Sequence, residues 1–195
     1  MQARLYHLSQ RLLGSSRSDR RLKALLDSGD PPRVILDVGG GTGISEPLVP
    51  SDALYVCLDV DRQRLTHFLA GHPHRSAVVA DAAHLPFGTA TIDLLLCRAV
   101  FHHLDRIAVA KLLAEGRRVL RPGGSMVWLE PVWRGGWLPG RVLWSLDRGA
   151  HPRGAAELRE LIEASFEVAT WHDYLMYHRY AMGSARPRND PALPD

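Results

Sequence analysis

Five apolar runs of four to six residues recur along the first two thirds of the chain. Each run is continuous rather than alternating, which is typical of strands that are buried on both faces of a parallel sheet. We therefore predict five parallel strands in this region. The runs are Arg33–Val38, Leu54–Leu58, Ala77–Ala80, Ile92–Cys97 and Ser125–Leu129.

Segments of helical length lie between these runs. Arg106–Leu120 has its apolar residues at helical spacing, and the turn sequence Arg121-Pro122-Gly123-Gly124 follows it directly. Alternation of strands and helices predicts an α/β sheet with crossover helices. Further helices are predicted over Met1–Leu13, Arg62–Ala70 and Ala155–Ser165.

The last part of the chain has a different pattern. Phe166–Trp171 and Tyr177–Met182 are predicted to form a closing antiparallel strand pair. The residues after Ala185 include three prolines and few apolar side chains, so we expect this end to fray. The predicted organisation is a helical cap at 1–30, a domain at 31–184 with an insert at 131–154, and a flexible tail at 185–195.

Composition limits the possible classes of protein. A chain of 195 residues, 46% hydrophobic and 23% charged, suits one globular domain. The net charge of +3 counts against a nucleic-acid partner. No run reaches the ~20 apolar residues of a membrane span, and the N-terminal pattern is amphipathic rather than that of a signal peptide.

The two cysteines, Cys57 and Cys97, lie in apolar runs and form no CxxC pair. This spacing excludes a zinc ribbon or a redox motif of that type. Buried free thiols suit a reducing compartment, so we expect a cytoplasmic protein.

A glycine-rich loop directly follows the first predicted strand. The sequence from Asp37 to Gly43 reads D-x-G-x-G-x-G, and glycine is needed where the backbone turns tightly or approaches a ligand. A helix beginning after the loop would add free N–H groups. The dinucleotide pattern G-x-G-x-x-G fails here, because Ile44 occupies the third glycine position. The loop therefore indicates another cofactor or a plain tight turn.

Aspartates end the second and third predicted strands. Asp59 is placed where a carboxylate can accept hydrogen bonds from ribose hydroxyls, although it could instead cap the next helix, as we expect of Asp61. Asp81 begins the segment D-A-x-x-L-P-F.

Five segments resemble class I S-adenosylmethionine-dependent methyltransferases, in the same order along the chain. The resemblance covers Val34–Leu129, about half of the chain. It implies a Rossmann-like, seven-stranded, mostly parallel sheet with helices on both faces and an antiparallel last strand. The segments are the glycine loop, Asp59, the Asp81 segment, residues 93–104 and the R-x-L-x-P-G-G turn at 118–124.

The resemblance also implies the cofactor, S-adenosyl-L-methionine, with S-adenosyl-L-homocysteine as product. Asp59 would bind the ribose, Asp81 and the N–H of Ala82 the adenine, and the main chain at Cys97 and Arg98 the methionine end. The implied cofactor residues are Asp37, Gly39, Gly40, Gly41, Gly43, Asp59, Val60, Asp81, Ala82, Cys97 and Arg98.

The acceptor side carries two candidate groups. His102 and His103 follow the fourth strand and could act as a general base, or the pair could only hold a helix start. The sequence after this strand contains no pair of carboxylates that would hold magnesium against a catecholate, so we expect no metal site. The sequence also lacks the Asn/Asp-Pro-Pro-Tyr/Phe motif of amino-directed DNA methyltransferases.

Three tryptophans lie in the insert: Trp133, Trp137 and Trp144. They could form a flat-walled acceptor pocket, pack the insert against the core, or contact a membrane surface for a lipid-soluble acceptor. The favoured function is methyl transfer to a small apolar or aromatic acceptor. The alternatives are a catalytically silent S-adenosylmethionine-binding partner protein and an RNA methyltransferase.

Overall fold

Seven strands form one sheet in the computed structural model, which describes residues 15–133, 151–175 and 179–188. The strand order is β3-β2-β1-β4-β5-β7-β6. The strands are β1 (Val34–Val38), β2 (Leu54–Asp59), β3 (Ser76–Val79), β4 (Ile92–Arg98), β5 (Leu120–Val132), β6 (Phe166–Leu175) and β7 (Arg179–Pro187).

Helices cover both faces of the sheet. Successive residues of a strand point to opposite faces, so the neighbours Ile35 and Leu36 of β1 pack against different helices. Ile35 packs with the first two helices in chain order, and Leu36 packs with the third and fourth. None of the described helices is long and apolar enough to cross a membrane. The helices are α1 (Ser15–Leu26), α2 (Arg62–Gly71), α3 (Arg106–Val119) and α4 (Ala155–Glu163).

Strands β1 to β5 run parallel, and β7 lies antiparallel between β5 and β6. This arrangement confirms the predicted Rossmann-like sheet. The carboxyl ends of the parallel strands meet at one edge of the sheet, here called the carboxyl edge. Leu175 at the end of β6 and Arg179 at the start of β7 lie at the same edge, since Arg179 pairs with Val132 at the end of β5.

The predicted helix after the glycine loop is wrong. Residues 39–53 contain only a 3-10 helix at Glu46–Leu48. Pro47 and Pro50 provide the reason, because proline removes a backbone donor and disfavours helical backbone in the residue before it. The loop therefore has no α-helix N-terminus behind it.

The predicted tail begins too early. Strand β7 continues to Pro187, and Ala185 pairs with Met126 on one side and Val168 on the other. Ladder pairing with two neighbours holds this segment in the sheet despite its few apolar side chains. The rest of the predicted tail from residue 189, and the helix predicted over Met1–Leu13, lie outside the described residues.

Candidate functional site

The carboxyl edge brings together the polar residues singled out from the sequence. Strands β3, β2, β1 and β4 lie side by side, and each ends near one of these residues. Along the edge, Asp81 is followed by Asp59, then by the glycine loop and then by Arg98. Ligands of open α/β sheets bind at this edge, at the point where the strand order reverses.

The glycine loop folds back on β2 and α2. Gly43 has φ +80°, and a Cβ atom there would lie 2.3 Å from Cδ2 of Phe68, so this glycine is needed for close packing on α2. Gly41 has φ +57°, and its nearest neighbour is Oδ2 of Asp59, 3.6 Å from a Cβ position. Gly41 thus leaves room for a ligand to approach the backbone beside the Asp59 carboxylate.

Asp59 and Asp61 have separate tasks. Asp59 is largely buried, and its Oδ1 accepts a hydrogen bond from the Asp61 N–H at 2.8 Å, while Oδ2 lies toward Gly41. Asp61 caps α2 by accepting from the backbone N–H groups of Gln63 and Arg64. The cap expected of Asp61 is confirmed, and Asp59 lies beside the glycine loop.

Asp81, Ala82 and Val60 lie at the outer end of the row. Asp81 is exposed and accepts a hydrogen bond from the Ala83 N–H at 2.9 Å. Val60 is 75% exposed and Ala82 is half-buried, so both are on the surface of the edge. A ligand could contact all three without entering the core.

Arg118 fixes the loop that follows Asp81. Its guanidinium donates to the carbonyls of Leu85 and Phe87 at 3.0 and 2.8 Å. Glu115 accepts from the Leu85 N–H and pairs with Arg118, which lowers the pKa of the Glu115 carboxyl. The R-x-L-x-P-G-G segment therefore acts structurally, as expected.

Asp37 lies beneath the glycine loop instead of at its surface. The side chain is fully buried, and the Tyr55 hydroxyl donates a hydrogen bond to Oδ2. Burial raises the pKa of Asp37 from 3.8 to about 7, and the Tyr55 hydrogen bond opposes this shift. Within the described residues Oδ1 has no hydrogen-bond partner. Asp37 supports the loop, since a Cβ on Gly40 would lie 2.9 Å from its Oδ2.

Both cysteines are internal. Cys57 and Cys97 are fully buried, and burial raises the pKa of each thiol above its ordinary value. Only the main chain of Cys97 can therefore face a ligand at the edge.

Arg98 joins three parts of the molecule at the end of β4. Its Nη2 donates to Oδ1 of Asp19 on α1 at 2.6 Å, and its Nη1 donates to the carbonyl of Ile44 in the glycine loop at 3.4 Å. The side chains of Arg98 and Asp19 are only 13% and 27% exposed. Ala99 then turns the chain with φ +56°.

Glu130, at the end of β5, organises the loop after β4. Its carboxylate is buried; Oε2 accepts from the N–H groups of Val100 and Phe101 at 2.9 and 3.2 Å. Oε1 accepts from the N–H and Nδ1 of His102 at 2.8 and 2.6 Å. Because a carboxylate only accepts, Nδ1 of His102 is the donor and the lone pair of the neutral ring lies on Nε2.

Glu130 was not among the site residues predicted from the sequence. The available signal was a charged residue at the end of an apolar strand, since glutamate is rarely buried without partners. His102 is buried, whereas His103 is exposed, with the two rings 4.0 Å apart. The two candidate bases therefore have different environments.

Arg153 holds the same loop from the other side. Its guanidinium donates to the carbonyls of Phe101 and Leu104, each at 2.6 Å. The Arg153 carbonyl accepts from the Trp133 N–H at 2.6 Å. The two ends of the insert thus meet beside His102. Trp133 is half-buried; Trp137 and Trp144 lie outside the described residues.

An aromatic pair lies at the carboxyl edge of β6 and β7. The rings of Tyr174 and Tyr180 stack with centroids 5.7 Å apart, and the Arg21 guanidinium lies 4.6 Å from the Tyr174 centroid. The Tyr174 hydroxyl donates to Oγ of Ser18 on α1 at 3.0 Å. An open cavity of about 320 Å³ adjoins Tyr174. Sequence reasoning missed this pair because its contacts join distant segments.

No three His, Cys, Asp or Glu side chains of the described segments are grouped as a metal site would require.

Comparison with known proteins agrees with this architecture. Residues 36–128 match the family model described as methyltransferase domain. A probable S-adenosylmethionine-dependent methyltransferase of Mycolicibacterium smegmatis is 35% identical over 146 residues, 70% of this chain and 52% of that protein. The ubiquinone/menaquinone biosynthesis C-methyltransferase of Rubrivivax gelatinosus is 28% identical over 166 residues, 71% of this chain and 64% of that protein.

The chain therefore spans about half the length of the first of these relatives. Among solved structures, the PH0226 protein of Pyrococcus horikoshii superposes with a TM-score of 0.74 at 18% identity, covering 91% of this chain and 93% of that one. This likeness shows the shared fold. Together with the motif order along the carboxyl edge, these matches show that the chain belongs to the class I, Rossmann-like S-adenosylmethionine-dependent methyltransferase family.

Proposed function

We propose that this protein transfers the methyl group of S-adenosyl-L-methionine to a small acceptor with an apolar or aromatic body. The observation that carries the proposal is the position of Gly41, which leaves space beside the Asp59 carboxylate at the carboxyl edge. Membership of the methyltransferase family supports this use of the loop.

The residues at the edge fit the cofactor. The Asp59 carboxylate can accept from the two ribose hydroxyls, and the exposed Asp81 carboxylate can accept from the adenine amino group. Gly39, Gly40, Gly41 and Gly43 shape the loop between the ribose and β4, and Asp37 supports it from below. The row from Asp81 to Arg98 follows the expected order of adenine, ribose and methionine.

The bound cofactor supplies an activated methyl group on a sulfonium. The chain's own task is then to position the acceptor and exclude water, because in-line displacement depends mainly on orientation. Trp133 and Arg153, which belong to the described ends of the 131–154 insert, pair beside the His102 loop. We infer that this insert is the lid of the acceptor site.

The acceptor would lie over the ends of β4, β5, β7 and β6. Half-buried Trp133 and the stacked pair Tyr174 and Tyr180 provide flat apolar surfaces there. The relative from Rubrivivax gelatinosus is named for quinone biosynthesis, which is consistent with a flat acceptor.

His102 is the better-prepared base of the two histidines. Glu130 holds its Nδ1–H, so the neutral ring carries its lone pair on Nε2. An acceptor that loses a proton could give it to this nitrogen. His103 is exposed, and its ring is tilted by 40° against the ring of His102.

A two-stage experiment tests the proposal. Thermal-shift assays should show stabilisation by S-adenosylhomocysteine and none by NAD or NADP, because only a ligand of the native state raises its apparent stability. Labelled methyl transfer should then occur to hydroquinones or phenols, with total RNA as the comparison substrate. Stabilisation by NAD, or transfer only to RNA, would contradict the proposal. Cofactor binding without turnover on any acceptor would favour the silent binding protein.

A further inference from the structure

Three arginines form the solvent-facing side of α1. Arg20 and Arg21 follow Arg17 at spacings of three and four residues, which places all three on one side of the helix, and each is exposed. Leu22 and Leu26 lie on the other side and are buried in the core. The helix is therefore amphipathic, and its basic side is here called the arginine face.

The net charge of the chain is concentrated in this helix. With four basic residues and one acidic residue, α1 has a net charge of +3, which equals that of the whole chain with histidines counted as neutral. The rest of the chain is neutral by the same count. The acidic residue, Asp19, is already paired with Arg98. An anionic partner is therefore attracted to α1 more than to the rest of the protein.

The arginine face borders the edge where the acceptor is proposed to bind. The Arg21 guanidinium lies 4.6 Å from the centroid of the Tyr174 ring, near the end of β6. An open cavity of about 430 Å³ adjoins α1 beside the 3-10 helix, and two of its lining side chains are cationic. It therefore has room for an anionic head group. The lining residues are Asp19, Arg20, Lys23 and Leu48.

Exposed apolar side chains lie at the same edge. Leu175 at the end of β6 is 46% exposed, and Ile44 at the glycine loop is 47% exposed. Single exposed apolar residues are common, but here they accompany a basic helix. Basic and apolar side chains on one surface are typical of proteins that bind anionic membranes. A nucleic acid would match the arginines and leave Leu175 and Ile44 in water, so the combination favours a membrane.

We propose that the arginine face of α1 docks the protein on an anionic lipid membrane, with the carboxyl edge turned toward the bilayer. An apolar acceptor then enters the site from the lipid phase. This route rests on the proposed function, whereas the docking itself rests on the surface of α1 and its neighbours. The sequence indicated a membrane contact only through the tryptophans of the insert, and this docking surface lies on another element.

Vesicle sedimentation tests the docking. The wild-type protein should bind vesicles that contain phosphatidylglycerol, should not bind vesicles of phosphatidylcholine alone, and should bind less as salt screens the charges. A variant with Arg17→Gln and Arg20→Gln should bind the anionic vesicles about 30-fold more weakly, given the contribution of each basic residue near such a surface. Arg21 is kept, because it packs on Tyr174.

A matched control removes the same charge from the opposite face of the sheet. Arg106 of α3 and Arg159 of α4 are exposed and pair with Glu160 and Glu163, and their helices pack on the other side. Replacing both arginines by glutamine should cost little stability and leave vesicle binding unchanged. Thermal stabilisation by S-adenosylhomocysteine should be the same in the wild type and both variants, which shows that all three are folded.

Methyl transfer tests the route of the acceptor. The α1 variant should methylate a long-tailed hydroquinone in anionic vesicles more slowly than the wild type, and a short-chain soluble hydroquinone at the same rate. Unchanged turnover in vesicles would overturn the route through the lipid phase.

Absence of wild-type binding to the anionic vesicles, or equal weakening in the α1 and control variants, would overturn the docking. A loss of tRNA binding in the α1 variant with vesicle binding intact would also overturn it, in favour of a nucleic-acid surface. Vesicle binding that depends on α1 without methyl transfer to either hydroquinone would contradict only the proposed function, so the two failures are distinguishable.

Discussion

The two halves of the carboxyl edge are held together differently. At the ends of β1 to β3, several contacts join residues that are close in sequence, such as Asp61 with Gln63 and Asp81 with Ala83. At the ends of β4 to β7, the contacts join distant segments, such as Glu130 with His102 and Tyr174 with Ser18. The first half can be identified as short motifs, whereas the second depends on the assembled sheet.

This difference has an energetic side as well. The local half includes the half-buried carboxylate of Asp61 and the exposed carboxylate of Asp81, whose loss costs the fold little. The long-range half uses buried polar groups that must be paired, because an unsatisfied buried donor is costly. Mutations in the local half should therefore mainly weaken ligand binding, whereas mutations in the long-range half should mainly destabilise the fold. Asp37 and Asp59 are the exceptions, since both are buried in the local half.

The largest effect is expected at Glu130. Glu130→Ala leaves the His102 ring and three backbone N–H groups without their acceptor. We expect a loss of about 5 kcal/mol in the free energy of unfolding, because four buried donors lose their acceptor at roughly 1–3 kcal/mol each. Urea unfolding measures it, and Glu163→Ala, at the exposed pair with Arg159, is the control and should cost less than ~1 kcal/mol. Similar losses for both variants would remove the proposed contrast.

The next effect is a pH dependence from Asp37. Because its pKa is raised from 3.8 to about 7, the folded state favours the protonated form. The stability linked to this carboxyl is fully present below pH 3.8 and is lost as the pH rises toward about 7. The raised pKa corresponds to roughly 4 kcal/mol, at about 1.4 kcal/mol for each tenfold change in proton affinity.

Asp37→Asn should remove this dependence while keeping an acceptor for the Tyr55 hydroxyl. The measurement is the difference in unfolding free energy between variant and wild type from pH 4 to 8, which should grow with pH in favour of the variant. A difference that stays constant across this range would show that Asp37 is not buried as described.

Replacing Asp59 by asparagine should affect the ligand more than the fold, because the asparagine oxygen can still accept from the Asp61 N–H. Asp59→Asn is expected to weaken S-adenosylhomocysteine binding by about 2 kcal/mol, roughly 30-fold, because a charged acceptor for the ribose hydroxyls is lost. Asp61→Asn is the matched control, since asparagine also caps helices and the same charge is removed. Calorimetry compares the two, and a larger effect from Asp61 would move the ribose site to that residue.

The smallest effect concerns the link between α1 and the β6–β7 hairpin. Tyr174→Phe removes the hydrogen bond to Ser18 and should cost about 1 kcal/mol of stability. A double-mutant cycle with Ser18→Ala should give a coupling energy of similar size. Additive effects in the cycle would mean that this contact does not join the two elements.

The sequence by itself determined the parallel sheet, the cofactor loop and the aspartates at the strand ends. These features depend on local requirements: continuous apolar runs for buried strands, glycine where φ is positive, and carboxylates just after a strand. For this reason the motifs from Val34 to Leu129 agree with the matched domain at 36–128. The helix expected after the glycine loop does not form, because Pro47 and Pro50 oppose helical backbone there.

Only the tertiary structure decided how the acceptor side is assembled. Glu130 and Arg153 bind the loop that contains His102 through hydrogen bonds. They lie 28 and about 50 residues further along the chain, and no pattern in the sequence links them to this loop. The same holds for Arg98 with Asp19, which are 79 residues apart. A charged residue in an apolar strand must have partners if it is buried. Which residues those partners are depends on the sheet order and the helix packing, which only the assembled fold defines.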